Sequence, residues 1–124
     1  MRLLLCVAAA ALLTAATAAA DDDKPVTVRE ITDQCRSDSA DKRFSCELVV
    51  ELGVILMALP TEGNAEPYCP PVFDEKLTDA EWDEQRRIQI LTPLFQWLDA
   101  RPEYVEGSFL EAVKASGPVL WPCS

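Results

Sequence analysis

The sequence predicts an all-α fold, a small single-domain bundle of about four helices stapled by two disulfides. Three observations predict it. Apolar residues recur at intervals of three and four along several stretches. Those stretches are bounded by residues that start and stop helices. Four of the five cysteines lie beyond an export signal, which leaves an even number to pair in an oxidising compartment. A chain of 124 residues has room for one domain.

Residues 1–20 read as a signal peptide. Met1-Arg2 supplies the positive start, Leu3 to Leu13 the apolar stretch, and Ala18-Ala19-Ala20 the small-residue cleavage site before Asp21-Asp22-Asp23. The rival is an uncleaved anchor, but Ala and Thr leave the second half of the segment weakly apolar. Cys6 follows the bulky Leu5, where a lipidated cysteine takes a small neighbour. Cleavage after Ala20 makes the mature protein periplasmic, with no membrane attachment, and loss of Arg2 takes the formal charge from −10 to −11. Residues 21–26 form a flexible N-terminal segment, and residues 27–124 the helical domain. Asp21-Asp22-Asp23-Lys24 superficially matches a protease activation site; a solvated charged terminus explains it with fewer assumptions.

Beyond Pro25, Val28, Ile31 and Cys35 recur at helical intervals and predict a short amphipathic helix. Ser37 to Asp41 is a polar break. Phe44, Leu48, Leu52, Ile55, Leu56 and Leu59 then form one face of a second helix, ended by Pro60 and Gly63. Only Glu51 and Gly53 interrupt its apolar run from Leu48, so it reads as the central buried helix, with Gly53 marking close approach of a neighbour. Thr61 to Asp74, rich in Pro and Gly, must be a loop tethered at Cys69. Thr78-Asp79-Ala80-Glu81 is a capping box that opens a third helix. Its expected buried stripe is Trp82, Ile88, Leu91, Phe95 and Leu98, with Asp83, Glu84, Arg86 and Arg87 paired in water. Pro93 is expected to kink this helix without ending it. Arg101-Pro102 closes it, Ser108 to Ala115 forms a fourth, and Gly117-Pro118 stops that one before an extended end, Val119 to Ser124.

Cys35, Cys46, Cys69 and Cys123 allow three disulfide pairings, and zinc is disfavoured by the absence of Cys-x-x-Cys spacing and of histidine. The expected pairing joins Cys35 to Cys46 across the polar break and Cys69 to Cys123 around the last two helices. The longer closure restricts the unfolded chain most.

Function classes fall away by composition. Eleven Lys and Arg against 21 Asp and Glu exclude a nucleic-acid partner, since phosphates are held by clustered cations. The absence of histidine removes Ser-His-Asp and Cys-His catalysis and His-based metal sites. Asp79, Glu81, Asp83 and Glu84 cluster densely, but carboxylates at a helix start complement its dipole and need no catalytic explanation. They also lack calcium-loop spacing. No catalytic residue, metal or cofactor is expected.

Four segments occur in order: Tyr68-Cys69-Pro70-Pro71; a capped helix ending in Phe95-Gln96-Trp97-Leu98-Asp99-Ala100-Arg101-Pro102-Glu103; Phe109-Leu110-Glu111-Ala112-Val113; and Leu120-Trp121-Pro122-Cys123. This order resembles the Rap/Tai family of immunity proteins. The likeness runs from Tyr68 to Cys123; in the first half only Cys46 and a helix containing Gly53 correspond, with Val49 or Val50 where an aromatic residue is expected. The resemblance implies a noncatalytic periplasmic protein that binds and inhibits a cell-wall amidase delivered by type VI secretion, typically as a homodimer that places a loop in the enzyme's groove. By analogy, that loop is Arg101 to Ser108, with Glu103, Tyr104, Glu106 and Ser108 as the partner-binding residues, remote from the core. An ordinary helix connection is the plain structural alternative. A periplasmic acid-stress or envelope chaperone, or a structural protein, is the other class the sequence leaves open.

Overall fold

The computed structural model describes residues 24–60 and 68–124. The expected signal peptide lies outside the described residues, as do residues 61–67 of the Pro-rich loop; residues 68–74 of that loop are irregular, as expected. Four helices make up the described fold. They are α1 (Val28–Cys35), α2 (Ala40–Ala58), α3 and α4 (Phe109–Leu120), where α3 runs through Asp79–Arg86, a π-helical turn Arg87–Leu91 and Thr92–Asp99. A short 3-10 turn, Pro102–Tyr104, follows α3.

Each helix begins at a hydroxyl. Thr27, Ser39, Thr78 and Ser108 accept from the amides of Glu30, Lys42, Glu81 and Glu111, which serves donors that have no partner inside the first turn. At Thr78 the capping box is complete, because the Glu81 carboxylate accepts from the Thr78 amide. The Thr78 backbone bond, then its side-chain bond, hold the Glu81 carboxyl below its usual range.

The helix continues through Pro93, as expected, by a specific device. A proline cannot donate to the carbonyl four residues back, here Gln89. The chain responds with the π-helical turn, in which the Thr92 amide donates to Arg87. The Trp121 indole donates to the Gln89 carbonyl at 3.0 Å, so the chain's end supplies the bond that Pro93 withholds. The turn also rotates the buried stripe. Ile90, Leu91, Leu94 and Leu98 face the core, Trp82 and Phe95 are half-buried, and Ile88 is 56% exposed, contrary to its expected place in the stripe.

Arg86 is a second correction. Expected in water, it is 5% exposed and donates to Glu51 of α2 at 2.5 Å and to Asp83 at 2.7 Å. Burial opposes its charge, and the two carboxylates more than offset that, so the guanidinium is held above its ordinary value. Arg87 reaches Glu47 of α2 at 3.4 Å. The arginines therefore tie α3 to α2.

The helix expected to be central presents the opposite face. Cys46, Val50, Gly53 and Val54 turn inward, while Phe44, Leu48, Leu52, Ile55, Leu56 and Leu59 are exposed. The reason lies in the sequence of α2 itself: it is apolar nearly all round, so periodicity cannot choose a face, and its glutamates pair with the α3 arginines on the inner side. Nor is Gly53 required by packing. Phe109 and Leu110 of α4 lie against it, yet a Cβ there would sit 3.5 Å from them, an ordinary contact.

Close approach occurs instead at Gly117, where a Cβ would fall 2.3 Å from the Tyr68 ring. The expected stop at Gly117-Pro118 does not end α4, which continues to Leu120. Pro118 occupies the last turn, where only one helical bond is lost, and the Trp121 amide still donates to Gly117 at 2.8 Å. The disulfides join Cys35 to Cys46 and Cys69 to Cys123, as expected.

Candidate partner-binding surface

The Arg101–Ser108 connection is short and held at both ends. Pro102 starts the 3-10 turn with its φ already set. Arg101 stacks 4.1 Å above the Trp97 ring and donates to the Trp97 carbonyl at 3.0 Å. On the far side, the Arg29 and Val28 amides donate to Val105 (2.9 Å) and Gly107 (3.1 Å), and Phe109 donates to Val26 at 2.8 Å. Thr27 and Ser108 form an isolated antiparallel bridge. The segment before α1 is thus a strap against which the connection is laced.

Within this frame the four named residues have different surroundings. Glu103 is exposed. Glu106 is exposed and pairs with Arg29, a surface bond typically worth no more than about 1 kcal/mol and easily exchanged. Ser108 is committed to capping α4. Tyr104 is half-buried, its ring 5.1 Å from that of Trp97 and packed on the core, so the expectation that it stands clear of the core is corrected. Missed from sequence were Arg29, Arg101 and Trp97, which hold the connection in shape. The partner of Arg29, Glu106, lies 77 residues away and no local pattern announces it, whereas Trp97 and Arg101 are four residues apart, a helical spacing that the sequence did display.

A shallow groove of about 310 Å³ runs between α1, α2 and the π-helical turn, lined among others by Arg36, Glu47, Arg87, Phe95 and Asp99. Its charges are largely spent on each other: Arg36 donates to Asp99 at 2.8 Å and Arg87 to Glu47. Among the described residues, no group of three or more His, Cys, Asp or Glu is placed to hold a metal ion. No described helix is long and apolar enough to cross a membrane.

Compared with protein-family models, curated proteins and solved structures, the chain matches none.

Proposed function

We propose that the protein is an exported, noncatalytic immunity protein that binds and inhibits a type VI secretion cell-wall amidase in the periplasm. The observation that supports this reading best is the pre-shaped acidic connection between α3 and α4. Glu103 and Glu106 stand in solvent on a backbone already held by Arg29, Val28 and Trp97, so little freedom is lost when a groove closes around it. The strong negative charge of the chain would speed its encounter with a cationic enzyme. The resemblance of the segments from Tyr68 to Cys123 names the enzyme class, and the disulfides suit an oxidising compartment.

The test is inhibition of an amidase encoded beside this gene, assayed on purified peptidoglycan. Glu103→Lys with Glu106→Lys is expected to weaken inhibition at least about tenfold, with a loss of stability no greater than about 1 kcal/mol from the broken Glu106–Arg29 pair, and the wild-type inhibition falling as salt rises. Undiminished inhibition by the double variant would exclude this connection as the main contact. The open apolar face of α2 favours the chaperone reading as the second choice; binding of many unfolded clients at low pH, with no amidase inhibited, would put it first.

A further inference from the structure

We propose that the groove between α1, α2 and the π-helical turn binds a short peptide with both ends free, about three residues long, whose ammonium meets Glu47 and whose carboxylate meets Arg36. The inference uses neither Glu103 nor Glu106 and is independent of whether an amidase is the target.

The groove runs along one row of α3. Arg87, Leu91, Phe95 and Asp99 follow one another at intervals of four and share a side of the helix. A charged pair stands at each end, Arg87 with Glu47 and Asp99 with Arg36, and the apolar Leu91 and Phe95 lie between them. The Arg36 guanidinium reaches back from Asp99 to lie 5.7 Å from the centre of the Phe95 ring. From the level of Arg87 to that of Phe95 is eight residues, or about 12 Å of helix. An extended peptide of three residues spans about 10 Å, and hydrogen bonds at its ends take up the rest.

The two ends are held on one rigid frame. Arg36 and Glu47 each directly follow a cysteine of the Cys35–Cys46 disulfide, so a covalent bridge fixes the backbone on which both stand. Little order is left to lose on binding.

Both groups also retain unused capacity. Glu47 is 9% exposed; one of its oxygens accepts from Arg87 at a long 3.4 Å, and the other is buried with no hydrogen-bond partner among the described residues. A buried carboxylate oxygen in that state is costly, and an arriving ammonium relieves it. The last torsion of a glutamate side chain is soft, which lets the carboxylate turn toward the donor. Arg36 spends one N–H on Asp99, and the rest of its fork is suited to a bidentate bond with a carboxylate.

Charge balance selects the ligand. Two cations and two carboxylates bring the groove to zero, within a chain that carries −10 overall. A lone anion meets the repulsion of the whole chain, and a lone cation meets Arg36 and Arg87. A zwitterion satisfies both ends at once, and the stretch over Leu91 and Phe95 suits an apolar middle residue.

Calorimetric titration of the disulfide-intact protein with the tripeptide alanyl-phenylalanyl-alanine tests the proposal. The expected result is saturable one-to-one binding. Acetylating the peptide's amine and amidating its carboxylate are each expected to weaken binding at least about tenfold, the loss of one charged contact. Glu47→Gln is expected to weaken the free tripeptide to the same extent and to leave the acetylated one unchanged. Arg36→Gln is expected to weaken the free tripeptide and to leave the amidated one unchanged. These crossed effects distinguish contact with the ligand from loss of shape. Should either variant misfold, the modified peptides decide the question on the wild-type protein. Absence of saturable binding at millimolar peptide would overturn the proposal, and so would binding that either modification leaves unaffected. A natively folded Glu47→Gln protein that binds the free tripeptide as tightly as wild type would overturn it too. No amidase enters the measurement, so its failure leaves the inhibitor reading standing.

Discussion

Helices α2 and α3 contribute to the same core in contrasting ways. Along α3 polar and apolar residues alternate at helical intervals, the start is marked by a capping box, and one side faces water. Along α2 both sides are apolar, and the inward side is distinguished by partners contributed from elsewhere: the α3 arginines, Tyr68 and the α4 residues Phe109 and Leu110. An amphipathic helix carries its orientation in its own sequence, whereas an apolar one has it decided by what the rest of the chain places beside it.

The strongest way to break this contrast is to remove the cation that orients α2. Arg86→Met leaves Glu51, whose side chain is only 15% exposed, facing inward without its counter-charge. Loss of a buried partner of this kind costs about 3 kcal/mol, read as a lower urea midpoint with unchanged slope. Replacing both partners, Arg86→Met with Glu51→Leu, is expected to recover most of that loss, because the carboxylate is no longer stranded. A single variant as stable as wild type would mean that the ion pair does not orient α2.

The same contrast explains what was legible in the sequence. Helix number, the Thr78 capping box, the continued helix through Pro93 and both disulfides follow from signals local to a few residues or from closure entropy. Three features were not legible: the inner face of α2, the burial of Arg86 and the extension of α4 past Gly117-Pro118. Each depends on a group distant in the chain: the α3 arginines for the inner face of α2, Glu51 for Arg86, and Tyr68 for Gly117. At the candidate site, Glu103 and Glu106 were readable as exposed acids in a connection. The stacking of Tyr104 on Trp97 was not, because an aromatic residue beside a proline turn suits solvent or core equally well.

A finer comparison sets the two faces of α2 against each other. Val54 is wholly buried and Leu52 is 55% exposed, although leucine is the larger and more hydrophobic residue. In thermal melts at concentrations low enough to keep chains apart, Val54→Ala is expected to cost about 2 kcal/mol through lost burial and the void it leaves. Under the same conditions Leu52→Ala should change stability by less than about 0.5 kcal/mol. Equal costs would show that both faces are packed within one chain, and would restore the fully central helix that periodicity alone suggests.

An effect smaller at neutral pH than that of Val54→Ala, and the most specific, lies where α2 meets the C-terminal half. The Tyr68 hydroxyl donates to the Val54 carbonyl, its ring lies on Gly117, and burial pushes the phenol up from 10.0 to about 12. Below pH 10 the phenol is neutral in both the folded and unfolded chain, so its contribution is intact. Between pH 10 and 12 the unfolded chain releases the proton while the folded chain retains it, and stability falls by on the order of 2 kcal/mol. Tyr68→Phe keeps the ring packing and removes both the bond and the titration. At pH 7 it is expected to cost about 1 kcal/mol, the net worth of one hydrogen bond. Its stability curve should then approach the wild-type curve as the pH rises from 10, and cross it before pH 12. Curves that stay parallel through that range would show that the phenol titrates equally in both states, and that Tyr68 is not sealed between α2 and α4.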